Sequence, residues 1–252
     1  MTIIKKIGIS LGIIIALLIV LFLAATGPVD ETPYFETGYF KKSCAEADSL
    51  KNNFTPVKGL LLAGFSKVSI TPTLNSAADN IEKGEFVKIP MAGFGARKGE
   101  PSTGIHDSIF VKAAALKVED KLVVLVGADI LIMPPNITDS VMKVLAENGI
   151  KREEVFLSAT HTHSSVGAWG PGFVGKEFAG EFNPIIVKWL VQKISKAVLI
   201  AVADLKPAAI STGDFNAADY TRNRLIGELG TKNDDFSYLL IQQNEGKKAV
   251  VG

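Results

Sequence analysis

Hydrophobic residues along this chain fall into three kinds of pattern, and each predicts a different element. The first is an unbroken apolar run over residues 7–26, IGISLGIIIALLIVLFLAAT, preceded by Lys5 and Lys6. At about 1.5 Å per helical residue it reaches about 30 Å, the thickness of a bilayer's hydrocarbon core, and so predicts a membrane-spanning helix. The competing reading is a cleaved signal peptide. Its apolar region is usually about 7–15 residues long, and no clean small-x-small cleavage site precedes Gly27. Lysines before the run, with Asp30 and Glu31 after it, predict a cytoplasmic N-terminus and an extracellular or periplasmic remainder.

The second pattern begins beyond Leu60, where short runs rich in Val, Ile and Phe are separated by Gly, Pro and polar clusters. These predict strands over residues 61–70, 109–118, 122–132, 155–159, 208–212, 238–242 and 249–251. LVVLVGADILI is apolar throughout, which predicts a central strand covered on both faces. The third pattern is helical. Ile137, Val141, Val144 and Leu145 recur at three- and four-residue steps and Gly149 supplies a stop, predicting a helix over 138–148. A second helix starts at Asn183-Pro184 and carries Ile186, Leu190, Ile194, Ala197 and Ala201 on one face until Pro207.

Strand, helix and strand over residues 122–159 make a βαβ-type unit, whose strand ends are where such folds place ligands. The fold class expected is α/β, with mixed β-sheets layered with helices and one transmembrane helix in front. Residues 1–27 form a cytoplasmic tip and anchor, 28–59 a membrane-proximal linker with one short helix, and 60–252 the folded domain.

Composition narrows the function. With 27 basic against 26 acidic residues, the net charge of +1 lacks the excess that binding to a phosphate backbone needs, so no nucleic acid partner is expected. A single cysteine, Cys44, excludes an internal disulfide and a cysteine-based zinc finger. MAGFGAR lacks GxGxxG spacing, and GxSxG is absent, which argues against a nucleotide fingerprint and a serine hydrolase.

Candidate chemistry gathers after the strand EVFLSA, in Thr160-His161-Thr162-His163-Ser164-Ser165-Val166-Gly167. In extended backbone, residues i and i+2 project to one side about 7 Å apart, so two imidazoles can converge on one metal ion or one substrate. Imidazole on zinc with an open position is a common hydrolytic arrangement. Spacing alone also fits two histidines that both bind metal, or two that are merely hydrogen-bonded in a loop. Gly167, Gly170, Gly172 and Gly175 suggest backbone that approaches something closely. Asp129 could orient a histidine from behind, and His106 in GIHDSIF is a further candidate ligand. Arg222 and Arg224, flanking Asn223 in TRNR, could hold a carboxylate or amide oxygen.

In chain order, AGFSKVSITP, IPMAGFGAR, GIHDSIFVKAAAL, VVLVGADIL, VFLSATHTHSSVG and TRNRL resemble the N-terminal catalytic domain of the neutral/alkaline, non-lysosomal ceramidase family, across residues 61–252. The resemblance implies a membrane-anchored zinc amidohydrolase that cleaves the N-acyl bond of ceramide, or a similar N-acyl lipid, to sphingosine and a fatty acid. It implies one Zn2+ ion bound by His161, a catalytic His163 that contacts substrate or its developing oxyanion, and a substrate-side Arg224. Partners would be that lipid and, through residues 7–26, the bilayer.

DFSYLLIQQNEGKKAVVG resembles the strand pair that precedes the family's second zinc histidine. The resemblance therefore implies a chain incomplete at its C-terminus, with an incomplete zinc site and no activity alone. Val166 stands where the family places the proline of Pro-Gly-Gly, which leaves other N-acyl lipids or amides open as substrates. The alternative from a different class is an exported binding or scaffold domain that kept this fold without catalysis.

Overall fold

The computed structural model describes residues 3–27, 31–53, 55–227 and 229–252; Asp30 lies outside the described residues. The chain divides into two compact units, Met1–Pro56 and Val57–Gly252. In the first, α1 (Ile3–Ala25) runs for 23 residues with none buried, long and apolar enough to cross a membrane. After a single 3-10 turn, Tyr34–Glu36, comes α2 (Gly38–Asn53), a helix of 16 residues where a short one was expected. Thr37 caps it, its Oγ1 accepting from the Phe40 amide at 3.2 Å.

The second unit is built on one mixed sheet. Its strands are β1 (Leu61–Ser69), β3 (Phe110–Val118), β4 (Lys121–Ala128), β5 (Val155–Ala159), β7 (Lys206–Asn216), β8 (Asp235–Gln243) and β9 (Lys248–Val251). Two short strands, β2 (Met91–Ala92) and β6 (Ser165–Val166), pair with each other apart from it. The spatial order is β5-β4-β3-β1-β7-β8-β9. Only β4 and β5 run parallel, joined through α3 (Pro135–Ala146) as the βαβ reading expected; all other neighbours are antiparallel. Two more helices, α4 (Gly172–Ala179) and α5 (Pro184–Ala203), follow the histidine loop.

Alternation decides which face of the sheet is covered. Val111, Ala113 and Ala115 of β3 and Val124, Val126 and Ala128 of β4 point into the main core with Ile186, Trp189, Leu190, Ile194, Ala197 and Ala201 of α5. At about 1.5–3 kcal/mol for each large apolar side chain fully buried, this layer is the largest stabilising contribution in the unit. Asn183 and Pro184 start α5 as the sequence indicated, the Asn183 Oδ1 accepting from the Ile185 amide at 2.9 Å. The approach to the sheet is close enough that a Cβ on Gly64 would sit 2.1 Å from the Ala201 carbonyl oxygen. Glycine is required there because neither backbone can retreat.

β4 is neither central nor covered on both faces. It lies second from one edge, between β5 and β3, and Val123 on its other face is 36% exposed. It also ends at Ala128, four residues before the apolar run does. Asp129 turns the chain there, its amide donating to the Phe110 carbonyl at 2.9 Å and its Oδ2 accepting from the Phe110 amide at 2.8 Å.

Where α5 ends, a polar knot ties it to β1 and the β8–β9 hairpin. Asp204 Oδ2 accepts from the Phe65 amide at 2.9 Å, from Lys247 Nζ at 3.0 Å and from Gln243 Nε2 at 3.2 Å, while the same Gln243 nitrogen donates to the Ala63 carbonyl at 2.9 Å. Burial alone would raise the Asp204 pKa, but the Phe65 amide, Lys247 and Gln243 outweigh it and hold the carboxyl below its ordinary value. A carboxyl lowered on folding adds stability above its unfolded pKa, and that stability is lost as pH falls through the folded value. Asp204→Asn is expected to lower unfolding stability at pH 7 by about 1–3 kcal/mol. The deficit should shrink as denaturant titrations are taken below about pH 4.

Candidate functional site

β5 ends at Ala159 beside Ala128 of β4, and the chain leaves both strand ends in loops that meet. The Thr160 amide donates to the Ala128 carbonyl at 3.0 Å, and Ser165 Oγ donates to the Asp129 carbonyl. Between these ties stand the two histidines. Their ring centroids are 5.1 Å apart with the planes inclined at 70°. His161 adopts φ 57, the left-handed region, so the pair is not the simple extended i, i+2 arrangement expected from spacing.

The rings differ in how their nitrogens are used. His161 Nδ1 lies 2.8 Å from the Leu131 carbonyl oxygen. A carbonyl only accepts, so Nδ1 carries the proton and Nε2 keeps its lone pair. His163 is half-buried, and its Nδ1 is enclosed with no hydrogen-bond partner among the described residues. One imidazole thus has its tautomer set by a carbonyl, while its neighbour has no such bond at Nδ1 among the described residues.

His163 is walled by the loop that follows β2. Phe94, itself exposed, meets it edge-on with centroids 4.5 Å apart. Gly93, at φ +89, lies against the ring so closely that a Cβ there would sit 2.6 Å from His163 Cγ. The β2–β6 register, Met91 with Val166 and Ala92 with Ser165, sets this loop over the histidines. The glycine-rich stretch after them does approach backbone closely: a Cβ on Gly167 would meet the Ala179 carbonyl oxygen at 2.2 Å, and one on Gly175 the Gly170 carbonyl oxygen at 2.2 Å. Instead of remaining a loop, it contains α4, starting at Gly172.

Residues 77–227 match the family described as neutral/alkaline non-lysosomal ceramidase, N-terminal. The chain belongs to that family. Among solved structures it is similar to a neutral ceramidase from Pseudomonas aeruginosa, with a TM-score of 0.62 and 21% identity over 76% of this chain and 31% of that one. A ceramidase complexed with C2 is similar to the same degree, with a TM-score of 0.61 and 21% identity over 76% of this chain and 30% of that one. The likeness is one of fold, and this ceramidase-family chain spans less than a third of either protein.

Other residues singled out in the sequence stand elsewhere in this ceramidase-family fold. Asp129 spends its carboxylate on the Phe110 amide, and the role of orienting His161 falls to the Leu131 carbonyl two residues on. His106 is almost fully exposed and pairs with Asp107 at 2.8 Å; that hydrogen bond, then the Asp107 charge, raises its pKa. It borders a cavity of about 460 Å³ shared with Thr162 and Ser164 but with neither His161 nor His163. Asn223 folds the TRNR turn, accepting from the Leu225 and Ile226 amides at 2.9 and 3.1 Å. Arg224 is exposed beside it and makes no hydrogen bond or ion pair among the described residues. No group of three or more His, Cys, Asp or Glu is gathered as a metal site among the described residues.

Sequence reasoning missed Gly93 and Phe94, because MAGFGAR was weighed as a phosphate loop and as a segment resembling the family, not for what its residues pack against. An aromatic between two glycines was the available signal for backbone packed against a ring. Gly93→Ala is expected to lower stability by about 1–3 kcal/mol, since it puts a Cβ at positive φ against His163. Equilibrium urea unfolding checks this, and Gly95→Ala, which meets only Phe178 Cε1 at 3.7 Å, is the matched control.

Proposed function

We propose that this chain forms the histidine-bearing part of a zinc-dependent amidohydrolase that cleaves the N-acyl bond of ceramide or a similar N-acyl lipid, releasing sphingosine and a fatty acid. The observation that carries the reading is the unequal hydrogen bonding of the two imidazoles. His161, with Nδ1–H held by the Leu131 carbonyl, offers Nε2 as a metal ligand, the tautomer-fixing arrangement usual for zinc-bound histidine. Bound there, zinc supplies Lewis-acid polarisation of an amide carbonyl and an acidified water.

His163 acts on the substrate side. Its Nε2–H donates to the amide oxygen and strengthens that bond as negative charge develops on the oxygen, a term typically worth about 2.7–4 kcal/mol per donor. Gly93 and Phe94 hold the ring against rotation, so the donor is pre-aimed. Arg224, exposed on its loop, is the substrate-side cation in this reading. A single histidine falls short of the three or four ligands of a zinc site, so His161 contributes one of the set.

In this reading α1 anchors the chain in the bilayer, and Lys5 and Lys6 favour a cytoplasmic N-terminus with the domain extracellular or periplasmic. A second reading, an inactive exported scaffold of the same fold, is favoured by the want of a three-ligand cluster among the described residues.

Metal analysis of the full-length protein, purified without chelator, separates the two. About one zinc per chain, lost in His161→Ala and retained in His163→Ala, is expected. Release of fatty acid from a short-chain ceramide should fall at least 100-fold in both variants. A folded wild type that holds no zinc would favour the scaffold.

A further inference from the structure

We propose that Arg97 is a positioning residue that fixes His163 by tying the loop walling its ring to its own backbone. A single guanidinium nitrogen, Nη2, donates to the Ala92 carbonyl, to the Gly93 carbonyl at 3.2 Å and to the His163 carbonyl at 2.6 Å. The first two belong to the strand end and turn whose next residues are the walls of the ring. The third is the histidine itself, 66 positions away in the chain. One charged group therefore fixes the distance between His163 and both surfaces it rests on. The planar guanidinium suits this because its donors have fixed directions.

The loop needs such a tie. Gly93, Phe94, Lys98 and Gly99 all take positive φ, at 89, 52, 52 and 66°, and two of them are not glycine. Left-handed backbone at non-glycine residues persists only where surrounding contacts over-determine it. The Gly93 amide donates to the Phe178 carbonyl at 2.7 Å, which fixes the outer side of the loop, and Arg97 fixes the inner side. Its own position is costly: Nε is enclosed without a partner, and among the described residues no carboxylate pairs with it. A half-buried charge met by three carbonyls, and by the Phe94 ring 5.4 Å from its Cζ, is a costly way to close a loop. The geometry returns a histidine ring held in one orientation.

The placement of the ring stands on this geometry; only its consequence for turnover rests on the amidohydrolase reading. The experiment uses the full chain with 13C-labelled histidine at one fixed pH, comparing wild type, Arg97→Gln and Arg97→Lys. In the wild type the His163 ring signals are displaced by the adjoining Phe94 ring. In Arg97→Gln they are expected to move toward those of a free imidazole, with His161, whose ring is 5.1 Å away, moving less and His106 unmoved; Arg97→Lys, which keeps the charge without the planar fork, should move them less. In the full-length protein, hydrolysis of a short-chain ceramide should lose about 10- to 100-fold in kcat with KM within about twofold, partly restored in the lysine variant.

His163 signals coinciding with wild type in the folded variants overturn the proposal. So does a shift of all three histidines together with a lowered melting temperature, which marks a merely structural arginine. Should Arg97→Gln not fold, Arg97→Lys decides by the same criteria. Where the full-length wild type hydrolyses nothing, the amidohydrolase reading falls while the spectra still decide the role of Arg97.

Discussion

Burial of one sheet face beneath α5 is the constraint that the rest of the second unit obeys. Once Val124, Val126 and Ala128 of β4 must point toward Trp189, Leu190 and Ile194, the register of β4 with β5 leaves no freedom, because a one-residue slip would turn that apolar set outward. Parallel pairing then brings the two strand ends level, Ala128 beside Ala159. The Leu131 carbonyl and the His161 ring come from the loops that leave those ends. The hydrogen bond between them follows from packing that occurs several residues away in both segments.

Chemical differentiation within THTHS comes from surroundings alone. Both histidines leave the same strand end and are separated by one threonine, yet a carbonyl accepts from one δ nitrogen, whereas the other lies against Gly93 without a hydrogen-bond partner among the described residues. The left-handed backbone at His161 contributes, since it swings the first ring toward Leu131 and leaves the second against Gly93 and Phe94. Such a conformation costs a non-glycine residue on the order of 1–3 kcal/mol. The Thr160 amide and the Ser165 hydroxyl, bound on either side of the pair, hold it in place.

Much of this was legible before any coordinates. Short runs rich in Val, Ile and Phe between Gly, Pro and polar clusters located the strands because such residues suit a pleated, buried surface, and Asn183-Pro184 located the start of α5 because cap and fixed-φ chemistry are local. Residues 155–159 came out with both ends correct. The misreadings have physical causes. A run such as LVVLVGADILI records hydrophobicity but not topology, so it could not report that β4 has only one strand beyond it, or that Asp129 would turn back to the Phe110 amide. For the site, HxH spacing brought out both rings, whereas their partners, the Leu131 carbonyl and Gly93, act through backbone and leave no side-chain signature. Arg97 reaches His163 across 66 positions, beyond what any local pattern conveys.

β7 joins the main sheet through only two register pairs, Leu62 with Pro207 and Ala63 with Lys206, and Pro207 has no amide proton to give. Beyond them β7, β8 and β9 run on as a ribbon whose apolar residues, Ile241 foremost, form a separate small cluster with Ala63, Phe65 and Ala114. The ribbon is therefore coupled to the rest of the unit along one seam, made of two register pairs, that small cluster and the Asp204 knot. Thermal opening would begin along that seam, and the rest of the unit, with α5 still seated on its sheet, would keep the histidines in place while the ribbon peeled away.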